Sequence, residues 1–154
     1  MDASEFQHLI SKLTAEFAGA PLNADLAARL NARHGPGSET YTALLNACRQ
    51  GIADGWMCQH EHRGLRYGRV VKPSDATHGF SVDVVDMLNI AGGRHRHPHG
   101  EIVLNMPLSG EPLFDGWPAG WSVSEPGSVH TPVVTGGHAL VLYLLPQGAI
   151  EFVK

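Results

Sequence analysis

The sequence predicts an α+β fold that is mainly β, with a helical segment over residues 1–58 followed by an antiparallel sandwich or small barrel over residues 59–154. Three observations predict it. Alanine and leucine are frequent in the first segment, and its apolar residues recur at helical spacing. From Leu65 onward, short β-type runs alternate with turns rich in Gly and Pro. The 154 residues, 43% hydrophobic against 17% charged, suit one domain with a sizeable core.

In the helical segment, Phe6, Leu9, Ile10, Leu13 and Phe17 form one stripe, with Ser4 available as its cap and Gly19 and Pro21 to end it. Asn23 caps a second helix that carries Leu26, Ala27 and Leu30 and stops at the His34, Gly35, Pro36, Gly37 stretch. Ser38 opens a third, longer helix through Tyr41, Leu44, Leu45, Cys48, Ile52 and Trp56. The β-type runs follow at 65–71, 79–88, 101–108, 120–124, 129–134, 138–145 and 149–153. Turns are expected at 91–93, 108–110, 115–118, 126–128 and 135–137, where glycine supplies positive φ and proline a fixed bend.

Composition narrows the function. Eleven basic against fifteen acidic side chains give a net charge of −4, so there is no basic field for nucleic acid or an anionic membrane. No apolar run reaches the roughly 18 residues needed to span a bilayer, and the start lacks a signal peptide's apolar block; a cytoplasmic protein is expected. Two cysteines, Cys48 and Cys58, are too few for a disulfide framework and read as buried reduced thiols. Neither a dinucleotide fingerprint nor a phosphate loop occurs, so no organic cofactor is expected.

Histidine is over-represented, with ten copies. On a strand His95 and His97 share a face, so their imidazoles converge on one point. Pro98 and Gly100 break regular pairing and let the chain bend Glu101, of the same parity, back towards them. A carboxylate beside two neutral imidazoles suits one divalent metal, with Fe, Mn, Ni, Co and Zn all compatible. His130, just after the tight turn at 126–128, is placed for an antiparallel neighbour to deliver it to the same cavity.

The pattern H-x-H-x-x-x-E formed by His95, His97 and Glu101, with Gly110 following, and the P-G-x-x-H formed by Pro126, Gly127 and His130, resemble the paired motifs of the cupin superfamily. That resemblance implies a double-stranded antiparallel β-barrel, or jelly roll, with a metal held by His95, His97, Glu101 and His130. Two details depart from the pattern: the gap from Glu101 to Gly110 is longer than usual, and Val134 stands where an asparagine is customary. A wider match takes in the helical segment, the stretch from Gly64 to Pro73, HPHGEI, the turn Phe114, Asp115, Gly116, PGSVHTPVVTGG and LYLLPQGAIEF. It resembles the 4-hydroxylaminobenzoate lyase family, a cupin branch, and implies conversion of a hydroxylaminobenzoate to protocatechuate with release of ammonia.

His99 and Glu101 are the candidate catalytic groups. For His99 three placements stay open: a metal ligand, a proton-transfer group at the pocket, or an exposed turn residue. Tyr67 and Arg69 share one face of the strand at 65–71, and Arg66 and Lys72 the other. Tyr67 and Arg69 are the candidate substrate-binding pair, an aromatic wall and a guanidinium for the carboxylate of a small aromatic acid. Arg94 and Arg96 alternate with the ligands and should face away. His60 and His62 read as a solvated connection, His138 as a strand-end residue, and Trp117 with Trp121 as either a pocket lid or core and interface residues. Two alternatives to a lyase are an Fe(II)-dependent dioxygenase acting on an aromatic acid and a non-catalytic small-molecule-binding protein. Apolar strands and the edge of a small barrel make a homodimer the expected assembly.

Overall fold

The structure, a computed structural model, describes residues 1–153. Its helices are α1 (Ala3–Ala15), α2 (Ala24–His34) and α3 (Glu39–Asp54). Asn23 and Ser38 cap α2 and α3 as expected, their side chains accepting from Leu26 N and Tyr41 N. The cap of α1 is Asp2, not Ser4. Asp2 accepts from Glu5 N at 2.8 Å while the Glu5 side chain reaches back to Asp2 N, a reciprocal pair that starts the helix two residues earlier than a Ser4 cap would. Trp56 lies beyond α3, which ends at the left-handed Gly55.

Nine strands follow among the described residues: β1 (His60–His62), β2 (Leu65–Val71), β3 (Phe80–Leu88), β4 (His95–His97), β5 (Glu101–Phe114), β6 (Gly120–Ser124), β7 (Ser128–His130), β8 (Val134–Pro146) and β9 (Glu151–Phe152). All pairings are antiparallel, in a six-stranded sheet of order β1-β2-β3-β8-β5-β6 and a three-stranded sheet of order β7-β4-β9. The expected turns at 108–110 and 135–137 are not turns. There β5 and β8 continue as partners through two register shifts, with Gly110 opposite Gly137. A Cβ on Gly110 would stand 2.7 Å from Gly136 O, so the strands approach more closely than any larger residue permits.

The central strands of the large sheet, β3, β8 and the first half of β5, are largely buried on both faces. One face, with Val82, Val84, Ile102, Leu104, Leu140 and Leu142, packs on the apolar stripes of the helices around Phe6, Ile10, Leu26 and Leu44. The other, with Met87, Val103, Val141, Tyr143 and Leu145, faces the barrel interior. Such double burial explains why β3 and β8 read as nearly continuous apolar runs. Helix α2 also closes the edge of the sheet at β6. The Asn31 side chain donates to Trp121 O at 2.9 Å and accepts from Trp121 N at 2.7 Å, so one amide substitutes for a missing strand. Among the described residues no helix is long and apolar enough to cross a membrane.

Candidate metal centre

Strand β4 is only three residues long, and its alternation buries His95 and His97 while turning Arg96 outward to Glu151 at 3.2 Å. Its neighbour β7 sets His130 directly opposite His95. Glu101 opens β5 after a turn at Gly100, where a φ of +87° and the 2.8 Å at which a Cβ would meet Ser124 O require glycine. The four side chains meet, with one ligand atom from each lying within 4.8 Å of all the others. His97 Nε2 is 2.6 Å from Glu101 Oε2 and 2.7 Å from His130 Nε2, and His130 Nε2 is 3.1 Å from the same carboxylate oxygen.

Two of the rings are held from behind. His95 Nδ1 donates to Gly93 O at 2.9 Å, and His130 Nδ1 donates to Asp115 Oδ2 at 2.6 Å. Because those oxygens only accept, each Nδ1 carries the proton and each Nε2 turns a lone pair or a second proton into the cluster. Asp115 also accepts from Val133 N at 2.8 Å, which ties the turn before β6 to the chain entering β8.

His95 Nε2 and Glu101 Oε1 are buried without hydrogen-bond partners, a costly arrangement unless an additional group is coordinated there. Three imidazole nitrogens and one carboxylate, crowded and largely buried, form a donor set that fits a divalent transition-metal ion. The electrostatics agree with a site built for positive charge. Burial, with the neighbouring His97, pushes the His95 imidazole below its usual range. Burial would lower His130 as well, but hydrogen bonds to Asp115 and Glu101 outweigh it and raise it to about 9. Burial would raise Glu101, yet its hydrogen bonds with His130 and His97 hold its carboxyl below the usual range.

A cavity of about 600 Å³ opens beside His95, walled mainly by apolar side chains including Leu65, Val85, Met87, Ile150 and Phe152. Tyr67 and Arg69 both line it, whereas Arg66 does not and stands 3.8 Å from Asp86. Arg69 is already engaged: its Nε and Nη2 donate to the two oxygens of Asp83 at 2.8 and 3.2 Å, and Nη2 also to Gly148 O at 3.2 Å.

His99 is not brought to the cluster. It sits exposed on the turn between β4 and β5, outside the cavity lining, so neither ligation nor proton transfer finds support in its position. His60 and His62 are exposed as expected, but they form β1, and His62 lines the cavity mouth. His138 is bonded to Asp86. The two tryptophans divide: Trp121 is core, its Nε1 donating to His34 O at 2.9 Å, while Trp117 is exposed. Sequence reasoning did not single out Asp115 or Tyr143 as site residues. Asp115 lay in a recognised turn with nothing in its spacing to link it to His130, and Tyr143 was one polar-tipped residue inside an apolar run.

The family described as 4-hydroxylaminobenzoate lyase (PnbB) matches residues 8–152. A protein named 4-hydroxylaminobenzoate lyase from Nocardioides sp. (strain LMS-CY) is 36% identical over 137 residues, covering 83% of this chain and 81% of that protein. One of the same name from Pseudomonas putida is 33% identical over 147 residues, with 84% of each covered. Among solved structures, an RmlC-like cupin protein from Ralstonia eutropha JMP134 aligns with a TM-score of 0.47 at 16% identity, over 64% of this chain and 66% of that one. A protein with a cupin-like fold from the same organism aligns at 0.45 and 17%, over 60% and 61%.

Proposed function

The chain belongs to the 4-hydroxylaminobenzoate lyase family, and from that premise we propose that it is a metal-dependent lyase converting 4-hydroxylaminobenzoate to protocatechuate with release of ammonia. The observation that carries the reading is a largely buried His₃Glu cluster whose His95 lines an apolar cavity that Tyr67 and Arg69 also line. About 600 Å³ is ample for a single substituted benzene ring.

His95, His97, Glu101 and His130 are the residues that would hold a divalent ion. When bound, it supplies Lewis-acid stabilisation for a poor leaving group such as hydroxide. The apolar walls exclude bulk water and flank the ring, and Tyr67 faces it from β2. The free Nη1 of Arg69 is the remaining guanidinium nitrogen for the substrate carboxylate, since Asp83 takes the other two. After N–O cleavage a water adds to the ring carbon next to that bearing nitrogen, and hydrolysis of the resulting imine frees ammonia. Substrate plus one water has the composition of protocatechuate plus ammonia, so no electron donor or acceptor is consumed.

Incubation of the metal-loaded protein with 4-hydroxylaminobenzoate under anaerobic conditions tests this. One ammonia per protocatechuate is expected, with solvent oxygen in both ring hydroxyls. Ammonia release that depends on dioxygen would replace the lyase with an oxygenase.

A further inference from the structure

Tyr143 occupies the middle of β8 and lines the cavity, yet only 7% of it is exposed and its hydroxyl has no hydrogen-bond partner among the described residues. The hydroxyl is not one of the fully buried atoms left without a partner, so it is open to the cavity and free to donate there. Its location is specific. Across the sheet Arg69 pairs with Asp83, Asp83 with Tyr143, and Tyr143 with Val103, so these four share one row. Adjacent strands are about 4.8 Å apart, which puts Tyr143 roughly 10 Å from Arg69 along the sheet and one strand from β5. Glu101 lies two residues from Val103 on the same face of β5. The Tyr143 ring packs edge-on against Phe114 at 5.9 Å, and Phe114 in turn packs against His130 at 6.3 Å, so the phenol is locked in register with the cluster.

A benzoate held by its carboxylate at Arg69 therefore directs its para substituent towards Tyr143 and the cluster. Burial, and the carboxylates of Glu101, Asp115 and Asp83, keep the phenol protonated, so it is suited to donate a hydrogen bond and not to act as a base. We propose that Tyr143 determines specificity by donating a hydrogen bond to the oxygen borne on the para nitrogen of the substrate, distinguishing N-oxygenated aromatic acids from those without that oxygen. The inference rests on the lyase reading for the identity of the ligand class. A site built to pair with a polar substituent discriminates against ligands that leave its own group unpaired.

The test is calorimetric binding of two unreactive probes, 4-nitrobenzoate and benzoate, to the metal-loaded wild type and to Tyr143→Phe. The substitution removes one oxygen and keeps the ring on Phe114. The expected result is a weakening of 4-nitrobenzoate binding by about 5- to 10-fold with benzoate affinity unchanged. Equal affinities in the two proteins for both probes, or equal loss of both, would overturn the proposal, the latter marking a merely structural role. If the wild type binds neither acid, the lyase reading fails and takes this inference with it.

Discussion

His130 is the most constrained side chain in the site, bonded through Nδ1 to Asp115 and facing Glu101 and His97 through Nε2. Asp115→Ala removes the group that fixes ring and tautomer. Metal affinity measured by equilibrium dialysis should fall by about 10- to 100-fold while the circular dichroism spectrum is retained. In chelator-treated protein the same imidazole makes stability depend on pH. Its folded pKa, about 9, lies above the ordinary 6.5, so the protonated form favours folding. That contribution is complete below pH 6.5 and is lost as pH rises through about 9, and melting temperatures across this window should decline accordingly. A flat profile would remove the ion pair from the metal-free state. At the cavity wall, Asp83 competes with a substrate carboxylate for Arg69. Asp83→Asn should therefore lower KM for the aromatic acid with little change in kcat, whereas a raised KM would make the Arg69–Asp83 pair a structural unit. At this scale the sequence showed His95, His97 and Glu101, because strand parity and the Pro/Gly bend confine them to one face, and His130, because the tight turn before it offers an antiparallel neighbour to carry it there. Asp115 stayed hidden because a turn aspartate has ample local reasons to exist.

Strand β5 shows what an element adds. Its 14 residues would span about 45 Å if straight, yet Glu101 at its start and Asp115 just past its end bond to the same imidazole ring. The strand must curl back on itself, and the irregular pairing around Gly110 and Gly137 is where its register with β8 shifts. Gly110 has a φ of +73° and faces a backbone oxygen, so Gly110→Ala is expected to destabilise the protein by at least about 1 kcal/mol. It should also reduce metal affinity although it changes no ligand. Full metal affinity in that variant would show that the curl withstands strain at the bulge. Helix periods and strand alternation located most elements, but the glycines at 108–110 and 135–137 suggested turns. Turn and bulge ask for the same residue, and only the pairing partner distinguishes them.

At the level of the whole molecule, the apolar residues separate into a layer between helices and sheet and a second cluster inside the barrel. The presence of both layers was legible from composition and periodicity. Their assembly was not: the pairing of β3 with β8 and the cover that α2 gives β6 depend on contacts between distant segments, which local patterns do not encode. The union of Arg69 with Asp83 has a consequence for how substrate arrives. Among the described residues the only guanidinium on the cavity wall is matched by a carboxylate, and the chain as a whole carries −4, so beyond the short reach of an ion at the cluster an incoming aromatic carboxylate meets no attractive long-range field. Encounter is left to undirected diffusion and to dehydration of the ring, with mobile ions screening mild repulsion in place of attraction. Specificity constants measured from low to moderate sodium chloride should accordingly stay level or rise; a steep decline would reveal an electrostatic funnel that the paired charges do not provide.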